Sequence, residues 1–210
     1  MLQSVLEFFS SIAFAIAATF GFNIGIEQPR YDVIERIGSA IEIRQYPKRI
    51  AAETTAEANK SNNPRSEAFR AIAGYIFGAN KGRQKIDMTS PVEISSSGAK
   101  IAMTAPVEVN SSDSRLVMRF FMPAEYSREQ LPEPSDPRVK LIEMPPTTVA
   151  ILRFSGSTGD AAASTYAAEL MKALRSTKWK IAGPATAFFY NPPWTLPFLR
   201  TNEVAIPVSR

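Results

Sequence analysis

The sequence predicts an α+β fold in which two copies of one strand-and-helix unit merge into a continuous curved sheet or barrel. Three observations lead to it. Short runs of alternating apolar and polar residues, separated by turn residues, dominate the chain past its first 26 residues; two segments switch to a helical period; and the order of elements repeats with an offset of 99 residues.

The alternating runs, read as strands, are residues 31–37, 40–46, 49–56, 85–94, 100–109, 115–122, 139–144, 148–154, 185–190 and 202–208. The first helix is marked by Phe69, Ile72, Ala73 and Ile76 at helical spacing. Asn63 is its expected N-cap, Pro64 its first residue, and Gly78 lies just past its end. The second covers 160–175, with Tyr166, Leu170, Ala173 and Leu174 as its apolar stripe. Residues 127–138 carry three prolines without periodicity and predict a surface connection. In the long repeat, IRQYPxxIA at Ile43 faces IEMPPxxVA at Ile142, and strand, proline turn, strand, helix and strand follow twice. Each copy has one apolar helix face and one apolar sheet face, which it can bury by joining its partner's strands.

The chain divides into a hydrophobic leader, residues 1–26, and one globular domain, residues 27–210. The leader contains a charge-free stretch at 8–26 that would span about 28 Å as a helix, near the thickness of a bilayer's hydrocarbon core. Polar residues and Gly21 and Gly25 weaken it as a membrane span, no basic n-region precedes it, and Ala15-Ile16-Ala17 offers a cleavage pattern. Membrane anchor, cleaved signal and buried leader all remain open readings.

Composition excludes much chemistry. The 210 residues are 45% hydrophobic and 21% charged, as in ordinary globular proteins, and contain no Cys and no His. Disulfides, thiolate nucleophiles, Ser-His-Asp triads and His-ligated metals are therefore absent. The net charge of +4 is spread without a basic run longer than Lys48-Arg49, so no nucleic-acid footprint is expected. Asp87, Glu93 and Glu108 are acid/base candidates, but no carboxylate pair or nucleophile with its base can be located, and no enzyme activity is expected.

A second, shorter repeat is much stronger. KIDMTSPVEI at Lys85 recurs as KIAMTAPVEV at Lys100, with seven of ten positions identical, and the two could pair as a hairpin. These copies follow YIFGAN at Tyr75. Further on come FFMP at Phe120, FSG at Phe154, YNPPW at Tyr190 and RTNEV at Arg200. In this order the motifs resemble the SOUL family of heme-binding proteins, over about residues 26–208, and the doubled motif is most like bacterial and plant members. The resemblance implies a distorted β-barrel of two pseudo-repeated halves with two amphipathic helices packed outside. It also implies binding of heme or a related tetrapyrrole in a shallow apolar cleft beside the first helix, largely by apolar contact.

A porphyrin needs an apolar wall, cations at its rim for the propionates and optionally a ligand to iron. Phe69, Ala73, Ile76 and Phe77 of the first helix are the candidate wall, or equally a core stripe, and Tyr75 is expected as a partly exposed ligand contact. Gly74 and Thr195 stand where some family members carry lysines, leaving Arg65, Arg70, Lys81 and Arg200 as candidate rim cations. Without His, iron ligation would fall to Met88 and Met103 of the duplicated motif, or to Tyr75 or Tyr190 as phenolates if a nearby cation lowered their pKa. The two methionines read first as core filler, and weak or absent protein ligation is expected. Trp194, Pro197 and Phe198 of the apolar NPPWTLPFL loop would cover a cleft, dock on a membrane or, by default, plug one end of the barrel.

The expected function is thus non-covalent tetrapyrrole binding, as carrier, buffer or sensor, with the protein membrane-anchored or exported in a bacterium. Two alternatives stay open. One is an enzyme acting on tetrapyrroles, and the other an effector-binding module of the related two-fold-repeat barrel type, in which an acidic group meets cationic ligands.

Overall fold

The computed structural model describes residues 26–57, 60, 62–97, 115–192 and 194–210. The leader stretch 8–25, the second motif copy at 100–109 with its Met103, and with them the expected hairpin, lie outside the described residues.

Among the described residues ten strands and two α-helices follow one another: β1 (Asp32–Ile37), β2 (Ile41–Tyr46), β3 (Arg49–Glu57), α1 (Pro64–Ile76), β4 (Val92–Ser97), β5 (Arg115–Phe121), β6 (Lys140–Met144), β7 (Thr147–Phe154), α2 (Asp160–Leu174), β8 (Lys180–Ile181), β9 (Thr186–Phe189) and β10 (Asn202–Ser209). The helix signals act as expected. The Asn63 side chain accepts the Ser66 N–H at 3.1 Å, Pro64 opens α1, and Gly78 follows with φ +107°, a left-handed conformation open to glycine. One expected strand is only partly formed. Residues 85–91 are irregular, pinned by the Glu27–Thr89 bridge, and regular pairing begins at Val92, just past Pro91, which has no N–H to give a ladder.

The strands form one antiparallel sheet in the order β1-β2-β7-β10-β9-β4-β5-β3-β6, with short β8 beside β10. It curls into a half-barrel with both helices outside, α1 on β3 and β5 and α2 on β7 and β10. Among the described residues no ladder joins the edge strands β1 and β6, so the expected barrel is an open one. Leaving β1 aside, the order is symmetric about the β9–β4 junction, and each half inserts its first strand, β2 or β6, beside the other half's second.

The ladders fix the true register of the repeat at 100 rather than 99. Arg44 lies opposite Val149 and Met144 opposite Arg49, while Ile41 lies opposite Leu152 and Leu141 opposite Ala52. In a strand a slip of one residue exchanges the two faces, and the proline-aligned offset of 99 would have set outward side chains against inward ones.

Two cores lie between sheet and helices. Ile43, Leu152 and Ile206 meet Leu170 and Leu174 of α2, and Ala52, Met118 and Phe120 meet Ile72 and Ile76 of α1. The proline-rich connection is irregular, yet it sends Leu131 into the α1 core, and its Pro132 carbonyl accepts the Tyr75 hydroxyl at 2.9 Å.

The concave face carries charge. Arg44 and Glu203 are 2% and 0% exposed and form a two-pronged pair, with both N–O distances 2.9 Å. Glu203 also accepts the Tyr190 hydroxyl at 2.6 Å and the Arg153 guanidinium at 3.2 Å. Burial alone would lower the Arg44 guanidinium, but hydrogen bonding to Glu203 and its charge outweigh that and raise it. Across the pseudo-axis, Arg119 bonds Glu93 at 2.6 Å and Glu53 at 2.7 Å. The ladders make Arg119 the counterpart of Glu203 and Glu53 that of Arg153, so the charges are inverted between the halves.

Glu203→Gln would leave Arg44 buried beside a neutral partner. Removing one member of a buried pair costs about 3–5 kcal/mol, and the urea midpoint should fall accordingly. Burial pushes the Tyr75 phenol up to about 12, above its ordinary value of 10. A group raised in the folded state contributes stability below its unfolded pKa and loses it as pH rises through the folded value. Unfolding measured between pH 9 and pH 12 should therefore show a loss of stability that is smaller in Tyr75→Phe.

Candidate functional site

Helix α1 presents two large side chains to solvent. Phe69 stands edge-on to Phe120 of β5, ring centroids 5.5 Å apart, and is half exposed, while Phe77 at the helix end is 62% exposed. The loop 191–200 presents Trp194 and Phe198, 58% and 71% exposed, together with Leu196. The loop does not plug the barrel as expected. Among its described residues Thr195 is buried, whereas Trp194 and Phe198 on either side of it face outward. The loop and the first turn of α1 both bond the β7–α2 connection. The Gly156 N–H donates to the Pro197 carbonyl at 2.8 Å, and just beyond it Arg65 of α1 bonds the Thr158 carbonyl at 2.8 Å and the Asp160 carboxylate.

The remaining sequence candidates sort by burial. Ala73, Tyr75 and Ile76 belong to the core beneath α1, so the expected partly exposed contact at Tyr75 is not made. Met88 is partly buried against the same core. Arg70 is exposed and donates Nε to the Ser66 carbonyl at 3.3 Å, and Arg200 donates Nε to the Thr195 carbonyl at 2.8 Å. Tyr190 lies on the opposite, concave face, bonded to Glu203. Burial and the Glu203 charge raise its phenol, as burial raises that of Tyr75. No phenolate is available at either position, the opposite of what ligation requires.

A porphyrin's needs can be set against these residues. The exposed aromatics of α1 and the loop could serve as the apolar wall, and Arg70 and Arg200 as the cations. Neither tyrosine supplies an iron ligand, and among the described residues no group of three or more acids could hold a metal ion. Of the acid/base candidates, Glu93 is held by Arg119, Asp87 is exposed, and Glu108 lies outside the described residues.

Two cavities escaped sequence reasoning. One, of about 330 Å³, occupies the concave face, where Val117, Val149, Phe188 and Ala205 meet the polar side chains of Arg49, Glu93 and Arg119. The other, of about 350 Å³, lies at the β2–β3 turn among Arg30, Lys48, Arg128, Phe121 and Met122, with Glu27, Glu129 and Glu143 as its acids. Arg49 lines both. The available signal was that Val149 to Leu152 and Val204 to Ile206 are apolar at every position, which marks strands covered on both faces.

Three solved structures share the fold. A conserved protein from Listeria innocua superposes with TM-score 0.59 at 12% identity, covering 81% of this chain and 92% of its own. The C-terminal domain of EcmrR gives TM-score 0.55 at 11% identity, covering 86% and 98%. A hydrolase from Listeria innocua gives 0.53 at 12% identity, covering 81% and 92%. Identities this low bear on architecture alone. No curated protein sequence matches the chain. The family model described as SOUL heme-binding protein matches residues 26–207, and the chain belongs to that family.

Proposed function

We propose that this protein binds heme or a related tetrapyrrole on the outer face of α1, as a carrier, buffer or sensor rather than an enzyme. Phe69 and Phe77 of the helix and Trp194 and Phe198 of the loop hold the macrocycle by apolar contact, and Arg70 and Arg200 meet its propionates. Tyr75, a buried neutral phenol, would not ligate the iron of a bound heme.

The distribution of exposed apolar side chains supports this reading most. Five of the eight exposed large hydrophobics among the described residues lie on α1 or in the loop: Phe69, Phe77, Trp194, Leu196 and Phe198. Single exposed apolar residues are normal, whereas a gathering of aromatics marks a surface meant to be covered. The effector-module reading needs an acid free to meet a cation, and the concave acids Glu53, Glu93 and Glu203 are each bonded to arginine.

Titration of the purified protein with hemin, followed at the Soret band, tests the proposal. A saturable shift is expected without a sharp six-coordinate low-spin spectrum, and Tyr75→Phe should leave it unchanged. Phe77→Glu and Trp194→Glu, both exposed and tolerable to the fold, should each weaken binding about tenfold or more, the effect of desolvating a charge against an apolar ligand. No Soret shift, or full affinity in both variants, would overturn it.

A further inference from the structure

We propose that the concave cavity is a second ligand site, selective for a small organic monocarboxylate with a flat apolar body, and that Arg49 is its anchoring cation. Arg49 opens β3 directly after the Pro47-Lys48 turn. Its guanidinium carbon stands 4.2 Å from the centroid of the Tyr46 ring and 4.7 Å from that of Phe121. Its Nε and Nη1 are buried and have no hydrogen-bond partner among the described residues. The other concave arginines are matched: Arg44 and Arg153 by Glu203, and Arg119 by Glu53 and Glu93.

Pseudo-symmetry explains why Arg49 is left over. The cross-strand pair Arg44–Val149 has Met144–Arg49 as its counterpart, which moves the cation from the first strand of one half to the second strand of the other. The acid that neutralises Arg44 has Arg119 as its own counterpart, another cation. Aromatic faces offset part of the cost of a desolvated charge, but two buried N–H-bearing nitrogens remain unsatisfied, and buried donors in native proteins are rarely so. Burial accordingly pulls the Arg49 guanidinium below its ordinary value, with Tyr46, Glu93 and Tyr190 acting the other way.

The cavity sets the ligand's chemistry. Its volume of about 330 Å³ is at the small end for ligand pockets. Its walls are largely apolar, through Met144, Val149, Phe188 and Ala205. Two guanidinium nitrogens without acceptors call for a planar pair of oxygens, and a doubly charged phosphate would set its second charge near Glu93. An arginine between two rings suits a planar carboxylate, and the stack limits the motion of the guanidinium.

Calorimetric titration with 2-naphthoate, its neutral analogue 2-naphthylmethanol and inorganic phosphate tests the site in the intact protein. Naphthoate should bind at least tenfold more tightly than the alcohol and should not be displaced by phosphate. Arg49→Gln should abolish that preference while its hemin titration stays as in the wild type. Equal affinity for carboxylate and alcohol, displacement by phosphate, or a preference that survives Arg49→Gln would overturn the proposal. Should Arg49→Gln fail to fold, the wild-type ratio of carboxylate to alcohol decides alone. A protein that binds naphthoate but not hemin would sustain this site and remove the tetrapyrrole reading.

Discussion

The fold depends on a charge pair that water does not reach. Arg44 comes from the first half of the chain and Glu203 from the second, and they meet across β7 on the concave face. A desolvated pair is tolerable only if each hydrogen-bonding group finds a partner. Here Tyr190 and Arg153 complete the carboxylate, while Glu42 and Tyr46 take further Arg44 donors at 2.8 and 3.4 Å. That requirement holds β2 in one register beside β7, and so fixes how the first half enters the second. Apolar contact alone would specify that register less sharply, because it is not directional.

The curled sheet separates two kinds of surface. Its convex side is covered by helices over apolar cores, and large aromatics are left exposed at Phe69 and Phe77 and at Trp194 and Phe198. On the concave side arginines, glutamates and tyrosines lie among apolar neighbours, and their charges must be matched internally or by a ligand. The internal repeat accounts for both the similarity and the difference of the halves. Backbone and core positions are shared across the pseudo-axis, whereas the concave side chains have diverged until Glu203 faces Arg119 as its counterpart and Arg44 faces Met144. One backbone plan thus carries two electrostatically opposite environments, and Arg49 is the guanidinium whose Nε and Nη1 find no acceptor in the second.

Much of the architecture was legible beforehand. Alternation located β2, β3, β5, β6, β7, β9 and β10 within about two residues, and Asn63, Pro64 and Gly78 bounded α1 because capping is a local matter. The site was legible in part. Phe69, Phe77 and Trp194 stand at the surface, as a ligand wall requires, whereas Tyr75 and Tyr190 are buried and protonated. Helical period gives the face of a residue but not how far a connection such as 127–138 folds over it, and that connection is what seals Tyr75.

By itself the sequence determined most of the elements, their twofold repetition and the exclusion of histidine and thiolate chemistry, which follow from local spacing and composition, and its ordered motifs carried the resemblance to the family. Only the tertiary structure decided the register of 100, the opening of the barrel into a half-barrel, and the burial of polar strand positions. The reason is the curl of the sheet. Alternation predicts that Arg44, Arg49, Glu93 and Glu203 leave the helix-covered face, but whether the other face meets water depends on how strands more than 100 residues apart bend around it.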